Sequence, residues 1–128
     1  MINILVVDDS KLARKRVIET LEKIDVDCNI VAEASDGLDA LEKYSANEVD
    51  LVISDIEMPN MDGIELTTKL RSMSKSLQII VVSSVVNELI KQIVAKDKAI
   101  SFFKKPLDPK ILEVAVKKIE HLVLKAKS

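Results

Sequence analysis

The sequence predicts a single α/β domain in which a doubly wound parallel sheet carries helices on both faces. Three observations carry this prediction. Short aliphatic runs alternate with longer segments of helical period, the order expected of repeated strand–helix units. Three of the runs are continuous in Val, Ile and Leu, as strands covered on both faces are. At 128 residues the chain is close to the commonest domain size, so the alternation shares one core and no second folded unit is expected.

The aliphatic runs are Ile2 to Val7, Cys28 to Ala32, Leu51 to Ser54, Gln78 to Val82 and Ile100 to Phe103, which makes five strands. The first, third and fourth are the most apolar and belong inside the sheet; the more polar second and fifth belong at its edges. Helical segments fill the gaps. The first carries Leu12, Ile18, Leu21 and Ile24, and Asp36-Gly37 and Asp62-Gly63 mark the starts of the next two. The fourth shows Val86, Leu89, Ile90 and Ile93. The fifth is the clearest, with Leu112, Ala115, Val116, Ile119, Leu122, Val123 and Ala126 at steps of three and four. Pro59 and Pro106 follow strands, and a base rate of about 5% for cis favours a trans Lys105-Pro106 bond.

Composition narrows the function. Lys and Arg number 19 against 21 Asp and Glu, a formal charge of −2, so no basic surplus points to nucleic acid or an anionic membrane. Tyr44, Phe102 and Phe103 are the only aromatic residues, too few for stacking platforms. The single cysteine, Cys28, excludes an internal disulfide and a cysteine metal cluster. The apolar start at Met1 lacks a basic segment and ends at Asp8-Asp9, and no apolar run approaches a membrane span. A cytoplasmic protein without membrane or nucleic-acid partners is expected.

In a doubly wound sheet the loops after the strands' carboxyl ends converge on one edge, where ligands bind. Those loops carry Asp8-Asp9-Ser10, Asp55, Ser83-Ser84 and Lys104-Lys105-Pro106. Asp8 and Asp9 have an ordinary use as caps of the first helix. With Asp55 on the same edge, however, carboxylates repel unless protonated or neutralised. A hard, oxygen-seeking ion such as Mg²⁺ relieves that repulsion, so the cluster predicts a divalent metal site. Strand alternation sends Lys104 and Lys105 to opposite sides, so at most one faces the acids. Ser83 and Ser84 are alternatives for capping the fourth helix. Nucleophilic carboxylate, metal, ammonium and hydroxyl together suit phosphoryl transfer, where catalysis is positioning plus charge neutralisation.

Four segments in order resemble the response-regulator receiver domains, in particular the single-domain chemotaxis regulators. They are Val6-Val7-Asp8-Asp9-Ser10, Asp55-Ile56-Glu57-Met58-Pro59 with Met61-Asp62-Gly63, Val81-Val82-Ser83-Ser84, and Phe102-Phe103-Lys104-Lys105-Pro106. The resemblance implies a flavodoxin-like (βα)5 fold with strand order 2-1-3-4-5. It implies that Asp55 accepts a phosphoryl group from a histidine kinase's phosphohistidine. Asp8, Asp9, Asp55 and the Glu57 backbone carbonyl would hold Mg²⁺. Ser83 would be the switch hydroxyl, Lys105 the lysine that pairs with a phosphoryl oxygen, and Phe102 the switch aromatic residue. Glu57 and Val85 occupy places that tune phosphoryl lifetime.

The sequence departs from the family at Ala95-Lys96-Asp97-Lys98-Ala99, which lacks a glycine that members often have before the last strand. His121 on the last helix reads as a surface residue. Ile111, Val114 and Leu124, with the fourth helix and fifth strand, are expected to form the surface for a downstream target, such as a flagellar motor switch or another chemotaxis protein. No enzyme activity beyond self-phosphorylation and self-dephosphorylation is implied, nor an output domain. The competing readings are a haloacid-dehalogenase-type phosphatase, a flavin carrier and a receiver that acts only as a scaffold. The first needs an aspartate where Glu57 stands, and the second a phosphate loop after the first strand; nothing in the acidic set is missing to favour the third.

Overall fold

A computed structural model of the chain describes residues 1–127. Its elements alternate without exception: β1 (Ile2–Val7), α1 (Lys11–Lys23), β2 (Cys28–Ala34), α2 (Gly37–Ala46), β3 (Leu51–Asp55), α3 (Gly63–Met73), β4 (Gln78–Ser83), α4 (Glu88–Lys96), β5 (Ile100–Lys104) and α5 (Pro109–Lys127). All strand pairs are parallel, in the order β2-β1-β3-β4-β5. The polar second and fifth strands are indeed the edges. Four strands outrun their apolar stretches, to Ala34, Asp55, Ser83 and Lys104, because backbone ladders continue where side chains turn polar. The added residues put Asp55 and Ser83 on the last rungs of the sheet.

Period-two alternation divides the strands between two cores. Ile2, Ile4, Val6, Leu51, Ile53, Ile80 and Val82 pack with Leu21 of α1 and Leu112, Val116 and Ile119 of α5. Leu5, Val7, Val52, Ile79, Val81 and Ile100 face the other way, onto Ala40 of α2, Leu66 and Leu70 of α3 and Ile90 of α4. Phe102 packs against this second core and Phe103 against the first, so the adjacent rings part to opposite faces.

The caps of α1 and α4 fall on residues other than those expected from the sequence. Ser10, not Asp8 or Asp9, caps α1, its side chain accepting from Ala13 N–H. Asn87 caps α4, accepting from Leu89 and Ile90 N–H, so neither Ser83 nor Ser84 does. Val86 therefore lies in the loop before α4, and it and Leu89 are exposed rather than part of a buried stripe. Leu12 of α1 is exposed as well, and Ile24 is that helix's C-cap. Asp36 and Asp62 cap α2 and α3.

The segment without a glycine before β5 is ordered by Asp97. Its backbone N–H bonds Ile93 O, and its carboxylate accepts from Arg71 Nε at 2.7 Å and Ala99 N–H at 3.0 Å. No left-handed residue is needed there, since Asp97 has φ −129°. The Lys105-Pro106 bond is cis, against the base rate.

Gly63 is required by contact. A Cβ there would lie 2.1 Å from the Asp55 carbonyl oxygen and 2.8 Å from Ile56 Cα, and its N–H donates to Ile56 O at 2.7 Å. This contact seats the start of α3 directly against the end of β3. Among the described residues, no helix is long and apolar enough to cross a membrane.

Candidate functional site

The parallel register levels the strand ends. Val7 pairs with Ser54, Asp55 with Val82 and Ser83 with Lys104, so the residues that follow emerge on one edge. One carboxylate oxygen each from Asp8, Asp9 and Asp55 lies within 4.8 Å of the others. Asp8 is buried, Asp55 half-buried and Asp9 exposed, which gives the group a floor and an open side.

Asp8 is held at every polar position. Its N–H donates to Ala34 O at 3.0 Å, its Oδ1 accepts from Ser10 N–H at 2.9 Å, and its Oδ2 lies 3.3 Å from Lys105 Nζ. Its carbonyl accepts from Arg14 Nη1. Asp55 Oδ1 accepts from Ile56 N–H at 2.9 Å and lies 3.4 Å from Lys105 Nζ. Lys105 thus bridges both acids, while its backbone N–H is anchored on Ser83 O at 2.8 Å. Lys104 is exposed, as the alternation required.

Burial pushes the Asp55 carboxyl above its ordinary pKa, and the charge of Asp8 adds to this; Lys105 and the Ile56 N–H oppose it without cancelling it. For Lys105, burial disfavours the ammonium, but the Asp55 and Asp8 carboxylates outweigh it and the net shift is upward. The group is short of positive charge. Three oxygens at this spacing, one side open to water, fit a hard divalent cation that keeps part of its hydration shell.

Ser83 is almost fully buried, and its Oγ accepts from Val85 N–H at 3.1 Å. Ser83, Val85, Asn87, Glu57 and Asp62 line a cleft of about 360 Å³ beside β3 and β4. Ser84 is exposed and lines a different groove of about 630 Å³, between Arg16 and Thr20 of α1 and the Pro106-Leu107 turn, which also reaches Asp8 and Lys105. Glu57 is exposed in the loop after β3, and His121 is exposed on α5.

Sequence reasoning missed two supports. Arg14 is a basic residue on a helix, and nothing in the local sequence says that it turns back to a strand-end carbonyl and to Glu33. Asn60 adopts φ 66° and donates to Asp36 Oδ2 at 2.7 Å, tying the β3–α3 loop to the start of α2. The only signal for it was an Asn between Pro59 and Met61, a residue type tolerant of the left-handed region.

The comparisons with known proteins agree with this geometry. A family model described as "Response regulator receiver domain" matches residues 4–117. The sensor histidine kinase RcsC of Escherichia coli (strain K12) is 41% identical over 81 residues, which is 63% of this chain and 8% of that protein. The cyclic di-GMP phosphodiesterase response regulator RpfG of Xanthomonas campestris pv. campestris is 34% identical over 87% of this chain and 30% of its own length. The chain therefore spans only a minor part of these curated relatives. Among solved structures, the chemotaxis protein CheY4 of Vibrio cholerae superposes with a TM-score of 0.77 at 30% identity, covering 93% of this chain and 98% of that one. CheY in the CheX-CheY-BeF3-Mg+2 complex from Borrelia burgdorferi gives 0.81 at 30% identity, covering 92% and 88%. With a matching fold, strand order and family model, the chain belongs to the response regulator receiver domains of two-component signalling.

Proposed function

We propose that this receiver is switched by phosphorylation of Asp55, with a histidine kinase as donor and Mg²⁺ held by the carboxylates of Asp8, Asp9 and Asp55 and by the Glu57 backbone carbonyl. The observation that carries this reading is Lys105 Nζ set between Asp55 Oδ1 and Asp8 Oδ2, beside the gathered carboxylates. When bound, Mg²⁺ supplies charge neutralisation for the acids and for the transferred group.

A carboxylate oxygen of Asp55 attacks phosphorus, the O–P bond forms, and the P–N bond of the phosphohistidine breaks with its electron pair leaving on the imidazole. Lys105 then has a phosphoryl oxygen to pair with as well as Asp8. Attack of water on the acyl phosphate later returns Asp55 and inorganic phosphate. Self-phosphorylation and self-dephosphorylation are the chain's only chemistry.

The new group adds strong acceptors and negative charge beside a buried hydroxyl. The Ser83 hydroxyl turns to donate to a phosphoryl oxygen and in moving gives up the bond it accepts from Val85 N–H, which frees the β4–α4 loop to rearrange. Phe102, half-buried on the α4 side of the sheet, turns into the space that opens. The output is a changed protein-binding surface over α4, β5 and α5, where Leu89, Ile111 and Val114 are exposed. Its target is a downstream protein of the chemotaxis kind.

Incubation with Mg²⁺ and acetyl phosphate followed by intact mass tests the core of the reading. One phosphoryl adduct is expected, absent from Asp55→Asn and from samples without divalent metal. No adduct on the wild-type chain, or one that survives Asp55→Asn, overturns it.

A further inference from the structure

We propose that Arg14 is a positioning residue that holds the Asp8–Asp9 peptide in the orientation the divalent cation requires. This rests on the metal reading above and adds to it a residue outside the acidic set.

Arg14 lies in the first turns of α1, behind the Ser10 cap, where the helix dipole disfavours a cation. It is nonetheless the least exposed cation in the ion pairs of the described residues, with a side chain 14% exposed. Its guanidinium spans three elements. From α1, Nη1 donates to the Asp8 carbonyl at the end of β1, and Nε pairs with Glu33 Oε1 of β2 at 3.2 Å.

The Asp8 carbonyl belongs to the peptide that joins Asp8 to Asp9. Holding that oxygen sets the plane from which Asp9 departs. Asp8 has three further restraints, through Ala34 O, Ser10 N–H and Lys105 Nζ, and does not depend on Arg14 alone. Asp9 is exposed and enters the carboxylate group at the open side, so the shared peptide is where its direction is set.

A stabilising role alone does not account for the arrangement. Glu33 is 48% exposed, and an ion pair so close to water contributes little to folding. The planar guanidinium fork, by contrast, bonds two acceptors in fixed directions, which an ammonium cannot. Outer-shell groups that orient metal ligands commonly change affinity by 10–100-fold when removed.

Charge and positioning make opposite predictions, and this makes the inference testable. If Arg14 acted through its charge, removing a cation beside the acids would tighten metal binding, and lysine would behave like arginine. Positioning requires Arg14→Ala and Arg14→Lys both to weaken it. Mn²⁺, which takes the same oxygen ligands, is titrated into the full chain and free ion is read by electron paramagnetic resonance. Both variants are expected to raise the dissociation constant by about tenfold. Thermal melts should shift by only a few degrees. Glu33→Gln, which keeps an oxygen for Nε, should bind like wild type. Tighter or unchanged binding in Arg14→Ala, or wild-type binding in Arg14→Lys, overturns the inference and leaves the metal reading intact. A wild-type chain that takes up no Mn²⁺ overturns the metal reading, and this inference with it.

Discussion

The Lys105 ammonium lies 3.4 Å from Asp55 Oδ1, although β4 stands between the strands that carry the two residues. Lys105 reaches across because its backbone N–H is fixed on Ser83 O at the end of β4. The same ammonium is 3.3 Å from Asp8 Oδ2, so one cation serves two acids from two other strands. Two consequences of this arrangement can be measured, on Lys105 and on Asp55.

Lys105→Ala should leave divalent-metal binding in place, because the carboxylates remain and a competing cation is gone. Phosphoryl transfer from acetyl phosphate should slow by roughly 10²-fold, the usual cost of losing one group aimed at developing charge. Target binding should no longer follow phosphorylation. Metal titration and stopped-flow phosphorylation check the two halves separately; a collapse of metal binding would mean that Lys105 acts on the ligands themselves.

The Asp55 carboxyl titrates above the ordinary carboxylate range, because burial and then Asp8 disfavour its charge. The native state therefore binds this proton more tightly than the unfolded chain does. Metal-free stability should fall as pH rises through the raised pKa and recover on acidification, with the slope set by the proton difference. Asp55→Asn should flatten that dependence and raise the metal-free melting temperature at neutral pH. Phosphoryl acceptance needs the ionised form, which bound metal favours, and should fail only once acid protonates Asp55 in the metal-loaded site. Carboxyl ¹³C NMR with and without Mg²⁺ follows the group directly, the metal moving its titration to lower pH.

Gly63→Ala should destabilise the fold by about 3 kcal/mol, since the added Cβ meets backbone atoms of Asp55 and Ile56 that cannot move without shifting the end of β3. Gly37→Ala should cost less, about 1–2 kcal/mol. There the contacts are 2.6 Å to Met61 Cβ and Cγ and 2.7 Å to Met61 O; only Cγ can rotate away, so relief needs the Met61 loop to shift, which costs less than moving the end of β3. Urea denaturation of both variants ranks them, and the order matters more than either value.

Asp97→Ala should cost about 1–2 kcal/mol, from the lost Arg71 pair and the unbonded Ala99 N–H. It should also loosen the turn into β5. Amide hydrogen exchange at Ala99 and Ile100 should rise well above that at the centre of β4, where the ladder is untouched.

Much of this protein is legible along the chain. Five aliphatic runs, their polarity and the helical periods between them are local properties, so they determined the fold class, the edge strands and the faces that pack. The strand-end acids, Ser83 and Lys105 were legible because parallel topology puts such residues on one edge whatever their spacing in sequence. Only the tertiary structure decided how they meet. Apolar pattern could not say where ladders end, and the two rungs that carry Asp55 and Ser83 lie beyond it. Residue type pointed to Asp8 or Asp9 as the cap of α1, but Ser10 suits the position equally well and local backbone geometry selects it. Nor could it show that Arg14 turns to the Asp8 carbonyl or that Asn60 reaches Asp36. Hydrogen bonds between side chains and distant backbone follow from the packing of whole elements, and a one-dimensional pattern carries no term for that.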